Sequence, residues 1–173
     1  GEQLSAAWVR YEHCKLVYQQ VTRALENQHL VMVVGDINSV SHALGRSHGR
    51  PLPTELDPHS LVMTLLATGL VPLQLLVFGM GPDAALGYDY RSDNGNWSSI
   101  TQIWIKPEQW SGLGHDGPLT FHGYGVDNNT FLCAKGGDTT IEGAIKPPDH
   151  GAGVLAFSLD LLGPRPERTK SRK

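Results

Sequence analysis

Cysteine is scarce. Cys14 and Cys133 are the only two, they lie far apart, and they form no CxxC pair, which excludes a zinc ribbon or a disulfide framework and points to a reducing compartment. The first residues show no basic region followed by an apolar run, so no secretory signal is visible, and the sequons at Asn96 and Asn128 are expected to go unused. Together these features predict an intracellular protein, in cytoplasm or nucleus. No HxxxH or HExxH spacing occurs among the eight histidines, so surface and turn positions are expected for them rather than a metal motif. Positive charge is lacking except at one end: residues 164–173 carry a net +4 and leave the rest at −7 within a total of −3. Such a body does not present a nucleic-acid surface, and the basic end predicts a solvated, disordered tail after one domain over 1–163.

Charged residues are absent from Leu61 to Met80, twenty positions in all, a length that could cross a bilayer. Thr64, Thr68, Gly69, Pro72, Gln74 and Gly79 break up that run, so no membrane span is expected. The segment predicts instead a soluble helix with Asp57 as N-cap and Pro58 in its first turn. Leu61, Val62, Leu65 and Leu66 form its buried side, and it stops at Gly69 before an extended stretch over Val71 to Phe78.

What is present suits one α+β domain: 173 residues, 40% hydrophobic and 18% charged, with twenty glycines and eleven prolines between apolar runs. Trp8, Tyr11, Cys14, Tyr18, Val21 and Leu25 recur at helical spacing, predicting an amphipathic helix over 5–27 that covers a sheet. Leu30 to Val34 is a short, branched apolar run that predicts a central strand. A long loop follows over 39–58, where long loops are often functional. Further strands are expected at Gly87 to Tyr90, Ile100 to Ile105, Leu119 to Tyr124 and Val154 to Leu159, with a hairpin turn at Asp93 to Asn96 joining the first two.

The run Leu30 to Asn38, reading LVMVVGDIN, places a carboxylate and an amide two residues apart at a strand end, where both can meet one phosphate from the same side. An apolar strand ending in Gly-Asp-x-Asn resembles a motif of the endonuclease/exonuclease/phosphatase family, the DNase I-like proteins. The resemblance implies that Asp36 helps activate the attacking water and that Asn38 holds the scissile phosphate. Ser98 to Ile105, reading SSITQIWI, is similar to that family's Ser-Arg-Ile-Asp-x-Ile-Trp strand, preceded as expected by the aromatic Tyr88-Asp89-Tyr90. Thr101 stands there for the aspartate that orients the catalytic histidine, and Ser99 for the arginine.

Gly125 to Leu132 resembles the segment leading into the family's Ser-Asp-His motif, after which the chain reads CAKGGDTTI. Lys135 and Gly136 then replace the Asp-His pair, or Asp138 and Thr139 do with a shift. On this reading Thr101 and Asp138 are remnants, the imidazole is lost, and no histidine stands beside Asp36 and Asn38, with His42, His48, His122 and His150 the ones that could overturn this by folding back over the strand end.

The resemblance spans residues 5 to 145 and covers the second half of the family's domain. It implies a partial DNase I-like β-sandwich with helices packed on the sheet and without the glutamate that binds Mg²⁺. Ile103, Trp104, Ile105, Val31 and Val33 would then need self-association or a partner chain to cover them. The functional expectation is a catalytically impaired relative of a nuclease, with descent from a retroelement endonuclease as one origin. The alternative is an active metal-dependent phosphodiesterase in which Asp36 and Asn38 work with Asp127 or Asp138, Mg²⁺ being required and nucleic acid or another phosphodiester the substrate. A second alternative is an unrelated α+β interaction module.

Overall fold

The computed structural model describes residues 6–37, 60–79, 82–91, 96–128 and 150–159. Asn38, the 39–58 loop, Asp57, Pro58, Lys135, Gly136, Asp138, Thr139 and the 164–173 tail lie outside them.

Helix α1 runs Ala6–Glu26, as its periodicity predicts. Its expected stripe is buried only in part. Cys14 and Val21 are buried and Val17, Ala24 and Leu25 partly so, whereas Trp8, Tyr11 and Tyr18 are exposed. Tyr11, Cys14 and Tyr18 line a shallow groove with Met63, Thr64 and Ala67.

Strand β1, Met32–Asp36, starts two residues later than the apolar run suggests. It pairs antiparallel with β5, Thr101–Ile105, in the register Val33 to Trp104 and Asp36 to Thr101. These two segments therefore share a sheet, as expected. The centre of that sheet is β5, not β1: its order is β1-β5-β2, where β2 is Val71–Pro72. β5 wins the central place because both its faces are apolar. Trp104 points to one core with Val21, Val31, Val62, Leu65 and Leu70, while Ile103 and Ile105 point to another with Leu73, Trp110 and Leu119.

Helix α2, Leu61–Ala67, takes its N-cap from Ser60, whose Oγ accepts the Met63 N–H at 3.2 Å. Ser60 replaces the expected Asp57 because the described helix starts only at Leu61. Its stop is as predicted: Gly69 adopts φ +77°, a conformation costly for any side chain, and donates to the Leu66 carbonyl at 2.9 Å. The expected extended stretch lasts only through Pro72. Leu73–Phe78 form a short helix α3 instead, since a helical turn puts Leu73 and Val77 together against the second core. Among the described residues no helix is long and apolar enough to cross a membrane.

A 3₁₀ turn over Pro82–Gly87 stands where a strand was expected from Gly87, and only Tyr90–Arg91 form a strand, β3. Its hairpin partner is β4, Trp97–Ser98, rather than β5. A third sheet has the order β6-β7-β8, built from Trp110–Ser111, Leu119–Asp127 and Ala152–Leu159. The last two were expected, though both run longer than their apolar patterns suggest.

The architecture is α+β. Of the residues expected to need a partner chain, Ile103, Trp104, Ile105 and Val31 are buried within the chain and Val33 is partly buried. Met32 and Val34, on the other face of β1, are the exposed ones.

Candidate functional site around Asp36 and His150

Because side chains alternate along a strand, Asp36 lies on the same face of β1 as Met32 and Val34, and its cross-strand neighbour Thr101 shares that face. The Ile37 amide donates to the Ile100 carbonyl at 2.8 Å, continuing the ladder one step beyond Asp36. Asp36 and Thr101 were expected to meet, and they do.

The third group at this corner was not expected. His150 enters just before β8, and its Nε2 lies 3.8 Å from Asp36 Oδ2. Its Nδ1 lies 3.0 Å from Thr101 Oγ1 and 3.3 Å from Asp89 Oδ2. This corrects the expectation that no imidazole stands beside Asp36. The expectation failed because the Asp-His pair was sought directly after Leu132. An Asp-His dipeptide, Asp149-His150, stands seventeen residues further on, immediately before an apolar strand. An Asp-His dipeptide leading into a strand was the available signal.

A carboxylate also backs the ring, although Thr101 occupies the position where one was sought. Asp89, between the two tyrosines that mark the aromatic segment, supplies it. Its side chain is only 2% exposed and is held by two backbone donors: Ile100 N–H to Oδ1 at 2.8 Å and Thr101 N–H to Oδ2 at 3.0 Å. Buried charge is tolerated only with such compensation.

The backbone fixes the ring as well. Tyr90 and His150 form an antiparallel bridge, the Gly151 N–H donates to the Asp89 carbonyl, and the Tyr90 and His150 rings pack at 5.2 Å between centroids. Asn128 Nδ2 ties the Tyr88 carbonyl from β7's end at 2.7 Å.

Behind this corner Gln74 is buried and donates to the Thr101 carbonyl at 2.8 Å. Tyr124 is driven well above its ordinary pKa by burial and then by the negative charge of Asp89, against the opposing effect of a hydrogen bond with Gln74. The site is thus open on one side, where Asp36 is 41% exposed, and walled on the other by neutral hydrogen-bonding groups.

Ser99 is buried, and its Oγ has no hydrogen-bond partner among the described residues. Asp127 ends β7, opposite Ala152 on β8. Among the described residues no three His, Cys, Asp or Glu side chains group as a metal site.

No family model matches this chain, and no curated protein does.

Proposed function

We propose that this chain carries a phosphodiester-hydrolysing site in which Asp36 and His150 act on opposite sides of one bound oxygen. The observation that carries the reading is the 3.8 Å separation of His150 Nε2 from Asp36 Oδ2. That is too long for a direct hydrogen bond, yet a water about 2.8 Å from each can donate to both. Its oxygen is then oriented to attack phosphorus: the new P–O bond forms as the water proton passes to His150 or Asp36, and the ester P–O bond breaks with its oxygen leaving as an alkoxide that takes a proton from solvent to become the alcohol. Positioned proton transfer of this kind contributes on the order of 10² to 10⁴ in rate. The DNase I-like resemblance of the Gly35-Asp36-Ile37-Asn38 motif and of the Thr101 strand supports the same reaction class.

Among the described residues around His150, Asp36 is the carboxylate that would hold magnesium, which that resemblance implies, because Asp89 is committed to two amides. Magnesium is usually held by one or two carboxylates with substrate phosphates and water, so the described residues do not make a complete site, and no step above is routed through it.

A second reading, phosphodiester binding without turnover, is favoured by one observation, the hydroxyl of Thr101 in place of a carboxylate. The test is an assay of the purified chain on plasmid DNA and on bis(p-nitrophenyl) phosphate, with and without Mg²⁺ or Mn²⁺. Asp36→Ala and His150→Ala run beside it. Turnover reduced about 100-fold or more by each substitution is expected. Turnover unaffected by both variants would refute the assignment, and binding without turnover would favour the second reading.

A further inference from the structure

We infer that Asp89, rather than Thr101, is the positioning residue for His150, holding the ring proton on Nδ1 so that an unprotonated Nε2 faces Asp36; this role rests on the reading of Asp36 and His150 given above. Among the described residues, the Thr101 hydroxyl at 3.0 Å and the Asp89 carboxylate at 3.3 Å compete at Nδ1. Distance alone favours the hydroxyl. Chemistry separates them, because a hydroxyl can donate or accept whereas a carboxylate only accepts.

If Thr101 donated to a bare Nδ1, the ring lone pair would lie against Asp89 Oδ2 with no proton between them. Asp89 has no freedom to turn aside: each of its oxygens already accepts a backbone N–H at the start of β5, and its side chain is almost wholly removed from water. A proton on Nδ1 satisfies both neighbours at once, since Oδ2 and Oγ1 can each accept. The tautomer of a histidine is set by the bond its other nitrogen makes.

The same short stretch also grips His150 through its backbone and ring. The Asp89 carbonyl takes the Gly151 N–H, and Tyr90 bridges His150 and packs on its ring. Residues 89 and 90 therefore set the height, the tilt and the tautomer of one imidazole. A carboxylate has in effect moved from the β5 position to the loop before β3, which is why a threonine at 101 does not empty the role.

The test is two-bond ¹⁵N–¹H correlation on the ¹⁵N-histidine-labelled chain, at a pH where the ring is neutral and with His150→Gln identifying its signals. The expected pattern for His150 is protonated Nδ1 and bare Nε2. Protonation at Nε2 would overturn the inference. Asp89→Asn sets an amide NH₂ against a backbone N–H and can unfold the chain, so Thr101→Val provides a second, independent arm. That variant should keep the Nδ1 tautomer and lose less than about 10-fold in turnover, whereas folded Asp89→Asn should shift toward Nε2 and lose on the order of 10²-fold in kcat with little change in KM. A tautomer switch in Thr101→Val would overturn the inference as well. An Nδ1-protonated ring with turnover indifferent to Asp36→Ala would refute the hydrolytic reading and leave the positioning role standing. The reverse pair of results would do the opposite.

Discussion

His150 faces a carboxylate through each ring nitrogen, and the two carboxylates differ in kind. Asp36 is open to solvent and Asp89 is not, so a second acid placed near Asp89 meets an occupied, water-poor site. Thr101→Asp, which would copy the family strand, is therefore expected to lower stability by more than about 1 kcal/mol through like-charge repulsion and to add no activity; the urea midpoint and the bis(p-nitrophenyl) phosphate rate check both halves. Tyr124 offers a pH signature of the same corner. Burial first, and the Asp89 charge second, keep it protonated in the folded chain above the ordinary value of 10.0. Above that pH the unfolded chain has released its proton while the folded chain has not, so the unfolded state binds fewer protons and stability must fall as pH rises past about 10. Tyr88, raised by desolvation alone, adds in the same direction. In Tyr124→Phe the fall between pH 9 and 11 should be shallower in urea titrations, and an unchanged slope would place its cause elsewhere.

At the scale of single elements, the boundaries of α2 can be tested separately. Ser60→Ala removes the side chain that accepts from Met63 and should cost about 1 kcal/mol. Gly69→Ala forces a side chain into a backbone with φ +77° and should cost about 1–2 kcal/mol. Both are read as shifts of the denaturation midpoint at constant slope. β1 gives the contrast: Val34 is 58% exposed and its neighbour Val33 packs on the core. Val34→Lys should stay within about 0.5 kcal/mol of the parent chain, while Trp104→Ala, removing a side chain with no exposed surface, should cost about 3–5 kcal/mol. Comparable losses in these two variants would contradict the register described here.

Across the whole molecule, β5 joins the two cores, with Trp104 on one side and Ile103 and Ile105 on the other. Leu65 and Leu73 lie in different cores and are both fully buried. Each truncation to alanine should cost about 2–5 kcal/mol, and the losses should add to within about 0.5 kcal/mol because the two side chains belong to different cores. Unfolding should nevertheless remain one transition by fluorescence and by circular dichroism. Two separated transitions would mean that β5 does not couple the cores. The same layering explains why the apolar residues expected to need a partner chain do not: α1 and α2 cover one face of β5, and α3 with the third sheet covers the other.

The amino-acid sequence alone determined the local features: the span of α1, the glycine stop after α2, the strand character of β5, β7 and β8, and the pairing of Asp36 with Thr101 on neighbouring strands. These follow from periodicity, from backbone freedom at one glycine and from side-chain alternation, all of which act over a few residues. The centre of the sheet was legible only in part, because β1 and β5 are both apolar runs and only packing shows which has two covered faces. The aromatic stripe of α1 misled for a related reason: helical spacing says which residues share a face, not how far along that face the protein extends. The candidate site lay beyond sequence reasoning at its decisive point. Asp36, Asp89, Thr101 and His150 come from four separated stretches of chain. Their meeting depends on the β1–β5 register, on two backbone amides that fix the Asp89 carboxylate, and on the Tyr90 bridge that brings in His150. The Asp149-His150 dipeptide before a strand is the one local sign of His150, and it says nothing of which carboxylates the ring meets, so only the tertiary structure decided that an imidazole stands between two of them.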